Sequence, residues 1–168
     1  MKNKTIIIAE AGVNHNGNFN LAKKMIEKAS KLGADYIKFQ IFSADKLVTK
    51  FAKKPQYALS NKSKFQHEML KKLEINIKDI LKLKKICKNN KIGFLSSAFD
   101  IESLKILNSL NLDFFKVPSG EINNVPYLRF LAGLNKKVIL STGMSNLKEI
   151  SFALNILKKG GLSKKKIY

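Results

Sequence analysis

The segment Phe114–Glu121, FFKVPSGE, sets a lysine inside an apolar run and follows it at once with a Pro-Ser-Gly-Glu turn. An ammonium in an apolar strand is costly to desolvate unless something anionic meets it, which makes Lys116 a candidate for anion binding. The alternative is a lysine that snorkels outward along an edge strand. The turn adds the Ser119 hydroxyl as a donor, Gly120 as a place where backbone can approach a ligand, and Glu121 as an acid or base. Further polar residues occur in comparable settings: Glu10 closing TIIIAE, Lys38 and Gln40 two apart in YIKFQ, Ser96-Ser97 closing IGFLSS, and Ser141-Thr142 after VIL. Residues two apart on a strand share a face, so Lys38 and Gln40 point the same way. Lysines, hydroxyls and a glycine turn suit a phosphorylated anionic ligand, and Glu10 and Glu121 could handle protons.

The elements that must position these groups alternate regularly. Thr5–Glu10 reads as a strand buried on both faces, followed by the Gly- and Asn-rich loop AGVNHNGN and a helix whose apolar residues run Leu21, Ala22, Met25, Ile26, Ala29 and Leu32, with Gly33 as its stop. Tyr36–Gln40 is the second strand. A long connection from Ile41 to about Asn76 contains KKPQYAL and FQHEMLKKLEI and suggests a loop with a short helix. Ile77, Ile80, Leu81, Lys84 and Cys87 then recur at helical spacing. Ile92–Ser97 is the third strand, and Asp100 is placed to cap a helix bearing Ile101, Leu104, Leu107 and Leu110. Phe114–Val117 is the fourth strand, followed by a short helix between Asn124 and Leu134 with Pro126 in its first turn. Val138–Leu140 is the fifth strand. Asn146 and Glu149 are spaced as a capping box for a helix carrying Leu147, Ile150, Ala153, Leu154 and Leu157, which Gly160-Gly161 ends. Ile167-Tyr168 reads as the first step of a sixth strand.

Repeated strand, loop and helix without a break in composition implies a parallel α/β sheet. All the polar groups named above then fall at C-terminal strand ends, the edge on which barrel enzymes build their sites. Glu10 could equally be an N-cap or surface ion pair. His15 could be a ligand or could shape its loop by backbone hydrogen bonding, the reading preferred here. His67 reads as solvated, and Asn14, Asn16, Asn123 and Asn124 suit turns on conformational grounds.

Composition narrows the classes. The chain has 168 residues, 45% apolar and 26% charged, enough for a real core. Its formal charge of +20 invites polyanions, but Arg129 is the only arginine and the lysines are spread over the polar faces of most helices. Base readout and bidentate phosphate clamping favour arginine on one surface, so no specific nucleic-acid partner is expected. No apolar run would span a membrane and the start MKNKTIIIAEAG is too short for a secretory signal, which points to the cytoplasm. The single cysteine, Cys87, lies at helical spacing with Ile80 and Leu83 and is read as a packed core thiol.

In order and spacing, IIIAEAGVNHNG, ADYIKFQ, FLSSAFD, FFKVPSGEINNVPYL and VILSTGM resemble the N-terminal half of the sialic acid synthase family, makers of nonulosonic acids, over essentially the whole chain. KKPQYAL and EMLKKLEI look most like the bacterial legionaminate and N-acetylneuraminate branch. The resemblance implies a TIM-type (β/α)8 barrel, transferase chemistry joining phosphoenolpyruvate to an open-chain N-acylated hexosamine, release of phosphate, and a role in cell-surface carbohydrate. It implies that Lys38, Ser97, Lys116, Ser119 and Ser141 hold phosphoenolpyruvate, that Gln40 contacts the sugar, and that Glu10 serves proton transfer; the turn reading above adds Gly120 to the binding set and Glu121, with Lys116, to the catalytic one. A divalent metal, Mn or Mg, and a homodimer are expected of the complete enzyme.

A closed barrel needs about 250 residues. The chain is therefore expected to be the N-terminal part of the barrel domain, residues 1–168. That part comprises about five βα units of eight and lacks the later strands with the metal ligands and the C-terminal antifreeze-like domain. A catalytically silent remnant and a sugar-phosphate barrel aldolase with a Schiff-base lysine are the alternatives.

Overall fold

The computed structural model describes residues 5–58 and 62–168. The stretch expected to rule out a secretory signal begins, at Met1–Lys4, outside the described residues, as does Leu59 of the KKPQYAL block. Strand and helix alternate as expected, and the strands follow chain order in the sheet, β1-β2-β3-β4-β5. The chain divides into two compact units, Met1–Phe94 and Leu95–Tyr168.

The first unit starts with β1 (Ile8–Gly12), which pairs in parallel with β2 (Tyr36–Ile41) so that Ile8 faces Tyr36 and Glu10 faces Lys38. The expected Thr5–Glu10 strand is thus displaced toward the C-terminus. Ile7 donates its N–H to the Asp35 carboxylate at 2.9 Å, and its carbonyl accepts from Asp35 N and Tyr36 N at the strand entrance, so the ladder proper begins one residue later. Nor is the segment covered on both faces, since Ile6 and Ile7 are 49% and 58% exposed. Between the strands, α1 (Phe19–Lys31) is capped by Asn18, whose side chain accepts from Leu21 N at 3.0 Å, and stopped by Gly33 at φ +82°.

The long connection holds two short helices rather than one, α2 (Ala44–Leu47) and α3 (Gln66–Lys71), with a 3-10 turn at Gln56–Ala58. Glu74 ties its end back to its beginning by accepting from Ala44 N at 2.7 Å. In α4 (Ile77–Asn89) the buried stripe is Ile80, Leu83 and Cys87, and Ile77 and Leu81, expected with the core, face outward. Ala22 and Ile26 of α1, Ile37 and Phe39 of β2, and this stripe are all buried, and the Phe39 ring stacks on Phe94 at 5.7 Å.

The second unit takes over within β3 (Gly93–Ala98). Asp100 caps α5 (Ile101–Ser109) by accepting from Ser103 N at 2.8 Å. Then come β4 (Phe114–Val117), a 3-10 turn at Ser119–Glu121, and α6 (Val125–Gly133), capped by Asn124 with Pro126 in its first turn. Parallel to β4 runs β5 (Lys137–Leu140), with Lys116 opposite Ile139, and Ser97 of β3 lies opposite Lys116 on the other side. The helix α7 (Leu147–Lys159) carries the expected capping box of Asn146 and Glu149. Of its apolar residues Ala153 and Leu157 are buried, whereas Leu147 is 81% exposed. Gly160 sits so close to α6 that a Cβ there would lie 2.4 Å from that of Ala132. Tyr127 is fully buried and donates its hydroxyl to Ala98 O at 2.9 Å; burial, then the charges of Glu121 and Asp100, push its phenol well up. The expected sixth strand takes the form of one parallel bridge, Val138 to Ile167, flanked by Leu140 N to Tyr168 O and Tyr168 N to Val138 O, both 2.9 Å.

Candidate functional site

In the first unit the parallel register that sets Glu10 beside Lys38 makes the two side chains partners. Lys38 Nζ lies 2.6 Å from Glu10 Oε2, with the lysine largely covered and the carboxylate 52% exposed. Beyond them β1 breaks register at Gly12, which adopts φ +53°. A Cβ at Gly12 would stand 3.2 Å from Glu10 Oε1 and 3.7 Å from Gln40 Nε2, so this glycine lets the backbone pass over both polar groups. The expected trio of Glu10, Lys38 and Gln40 is therefore local to one pair of strand ends, with Glu10 in the ion pair that was its alternative reading.

His15 shapes its loop. Its Nδ1 accepts from Gly17 N at 3.0 Å, which places the ring proton on Nε2, and that buried nitrogen has no hydrogen-bond partner. Burial lowers the imidazole pKa below its usual value of 6.5. His67 departs from the solvated reading: its ring is only 16% exposed, and Nε2 is 2.8 Å from Asp45 Oδ1. Lys71 reaches the other oxygen of Asp45 at 2.8 Å, and the two hydrogen bonds, Lys71 first, bring that carboxyl down to about 2. Nothing in the spacing pairs His67 with Asp45, because the two lie 22 positions apart across the irregular connection.

In the second unit the β4–β5 register carries Lys116 to the end of β5. Its Nζ donates to Ser141 Oγ and to Val117 O, the latter at 3.2 Å. A half-buried ammonium is thus held on hydroxyl and carbonyl oxygens. Ser97 is buried opposite Lys116, and Ser96 donates to Ser97 O at 3.1 Å. Ser119 is exposed at the first position of the 3-10 turn, against Gly143 of the STGM turn. Gly120 is not demanded by crowding, since a Cβ there would meet nothing within 4 Å. Glu121 accepts from Asn124 Nδ2 at 2.6 Å and so helps anchor the start of α6. Gly12 and Gly143 escaped the sequence reading; a glycine within three residues of a strand-end polar group was the available signal.

Cys87 is the core thiol expected, its pKa pushed up to about 12 by burial. Among the described residues no three His, Cys, Asp or Glu side chains come together to hold a metal ion, so the groups present do not fit one. No described helix is long and apolar enough to cross a membrane.

The NeuB family model matches residues 25–167. The chain belongs to the NeuB family. It is 52% identical over 166 residues to the N,N'-diacetyllegionaminic acid synthase of Campylobacter jejuni, covering 98% of this chain and 50% of that protein. The synthase of the same name from Legionella pneumophila is 46% identical, with 90% and 43% covered. Among solved structures, the N-acetylneuraminic acid synthetase of Leptospira borgpetersenii, in complex with citrate, superposes with a TM-score of 0.80 at 32% identity over 95% of this chain and 52% of that one. A phospho-2-dehydro-3-deoxyheptonate aldolase (DAHP synthase) from Thermotoga maritima, 15% identical with a TM-score of 0.70 over 98% of this chain and 41% of that one, shares the fold. This NeuB chain spans about half the length of the curated relatives it matches.

Proposed function

We propose that this chain supplies the phosphoenolpyruvate-binding part of a nonulosonic acid synthase, with an N-acylated hexosamine of the diacetyllegionaminate type as acceptor. The observation that carries the reading is Lys116, held on the Ser141 hydroxyl at the end of β4. In the proposed reaction, carbon 3 of phosphoenolpyruvate forms a bond to the sugar aldehyde carbon. Water then adds to carbon 2, and phosphate departs with the carbon–oxygen bond electrons. Carboxylate and phosphate stay anionic throughout, so fixed cations and hydroxyls hold them without reorganising as charge moves.

On this reading Lys116 and Lys38 counter the two anionic groups. The hydroxyls of Ser97, Ser119 and Ser141 and the Gly120 backbone orient them, and Gln40 meets the sugar. Glu10 and Glu121 relay protons. Family membership and the relatives' names support the substrate class, and the half-length match makes the complete reaction a property of the whole enzyme. Calorimetric titration of the chain with phosphoenolpyruvate tests the reading. Saturable binding that Lys116→Ala removes is the expected result, and an unresponsive chain that folds normally would overturn it.

A further inference from the structure

We infer that Gly143 is a positioning residue: the absence of its side chain is what lets the STGM turn after β5 bring Ser119 into place at the end of β4. This rests on the proposed reading of Ser119 as a ligand contact. Gly143 adopts φ +48°, a left-handed conformation that side-chain-bearing residues seldom take. A Cβ added there would lie 2.6 Å from Ser119 Cβ and 2.7 Å from Ser119 Oγ. Both distances are shorter than any tolerable contact, and a β carbon, unlike the tip of a lysine, cannot swing away without its backbone. Ser119 opens the 3-10 turn Ser119–Glu121, which is closed by Glu121 N to Pro118 O at 3.0 Å. Displacing Ser119 therefore displaces that turn.

The neighbouring link between the same strand ends is also short-ranged. Lys116 donates to Ser141, and Ser141 N donates to Val117 O at 3.2 Å. The two turns are thus joined at Lys116–Ser141 by hydrogen bonding and at Ser119–Gly143 by close packing. A methyl group on Gly143 would separate the second pair while leaving the first in place. Gly120 offers a contrast within the same turn, because a Cβ there meets nothing.

The test is phosphoenolpyruvate titration of four variants of the full chain, each checked for its fold by circular dichroism. Gly143→Ala is expected to weaken binding about tenfold, the worth of one charge-assisted hydrogen bond. Gly143→Asn tolerates left-handed backbone yet carries the same Cβ, so it should lose as much affinity with a smaller drop in melting temperature. Ser119→Gly should match that loss. Gly143→Ala combined with Ser119→Gly should bind no worse than Ser119→Gly alone, because the new methyl then meets no side chain. Additive losses in the double variant, or wild-type affinity in both Gly143 variants, would refute the positioning role. Failure of the unmodified chain to bind would refute the functional reading on which it depends.

Discussion

Lys38 and Glu10, register partners on adjacent parallel strands, form an ion pair 2.6 Å long in which the lysine is covered and the carboxylate is half open to solvent. The carboxylate therefore competes with any incoming anion for the same ammonium. Glu10→Gln should cost about 1 kcal/mol of stability, the scale of a solvent-screened pair. It should also tighten phosphoenolpyruvate binding by removing the competitor. Urea unfolding and ligand titration of the same variant check both effects; loss of binding would show instead that the Glu10 carboxylate itself serves the ligand.

Lys116 and Ser141 give a second pair of expectations. Lys116→Ala should abolish measurable phosphoenolpyruvate binding. Ser141→Ala should weaken it roughly tenfold, through a lysine freed to wander as well as one hydroxyl lost. The two losses should not add, since both act on one ammonium, and a double-mutant cycle by calorimetry measures the coupling. Independent effects would sink the view that Ser141 works by holding Lys116.

His15 predicts an acid-side weakness. Its folded pKa lies below 6.5, so between that folded value and 6.5 the unfolded chain binds the proton more readily. Stability should be unaffected by His15 above pH 6.5, fall as pH drops below it, and level off once the folded pKa is passed. Urea midpoints across pH 5 to 8, at intervals of roughly half a unit, would trace that slope. His15→Gln should flatten it, and an unchanged slope in that variant would assign the weakness elsewhere.

Cys87 should be silent toward thiol reagents. A buried thiol with a pKa near 12 offers almost no thiolate at pH 8. Labelling with a disulfide reagent should therefore track global unfolding as urea is raised, and prompt labelling in water would contradict the packing of α4.

Where a chemical cue was local, the sequence was enough to read it. Asp100, Asn146 with Glu149, Gly33 and Pro126 each act on backbone within a turn of themselves, and each does what its spacing implied. The β4 strand and Lys116 followed from one charge among apolar neighbours. What the sequence hid depends on distant partners. Ile6 and Ile7 are as apolar as Ile37, but Asp35 holds Ile7 at the strand entrance and both residues stay about half exposed. Helical spacing placed Leu81 and Leu147 on apolar stripes without saying how wide a neighbour would cover them. The covering of His67 required knowing that α3 folds back on Asp45, which nothing in a single irregular stretch encodes.

The parallel pairings of β1 with β2 and of β4 with β5 join strands that are consecutive in the chain. Each needs only one helical crossover to close, which keeps the loop entropy of forming it small. Such pairings can form in the direction of synthesis, since β2 and β5 each follow the strand they pair with. The Val138–Ile167 bridge adds a parallel contact to β5 in the same sense.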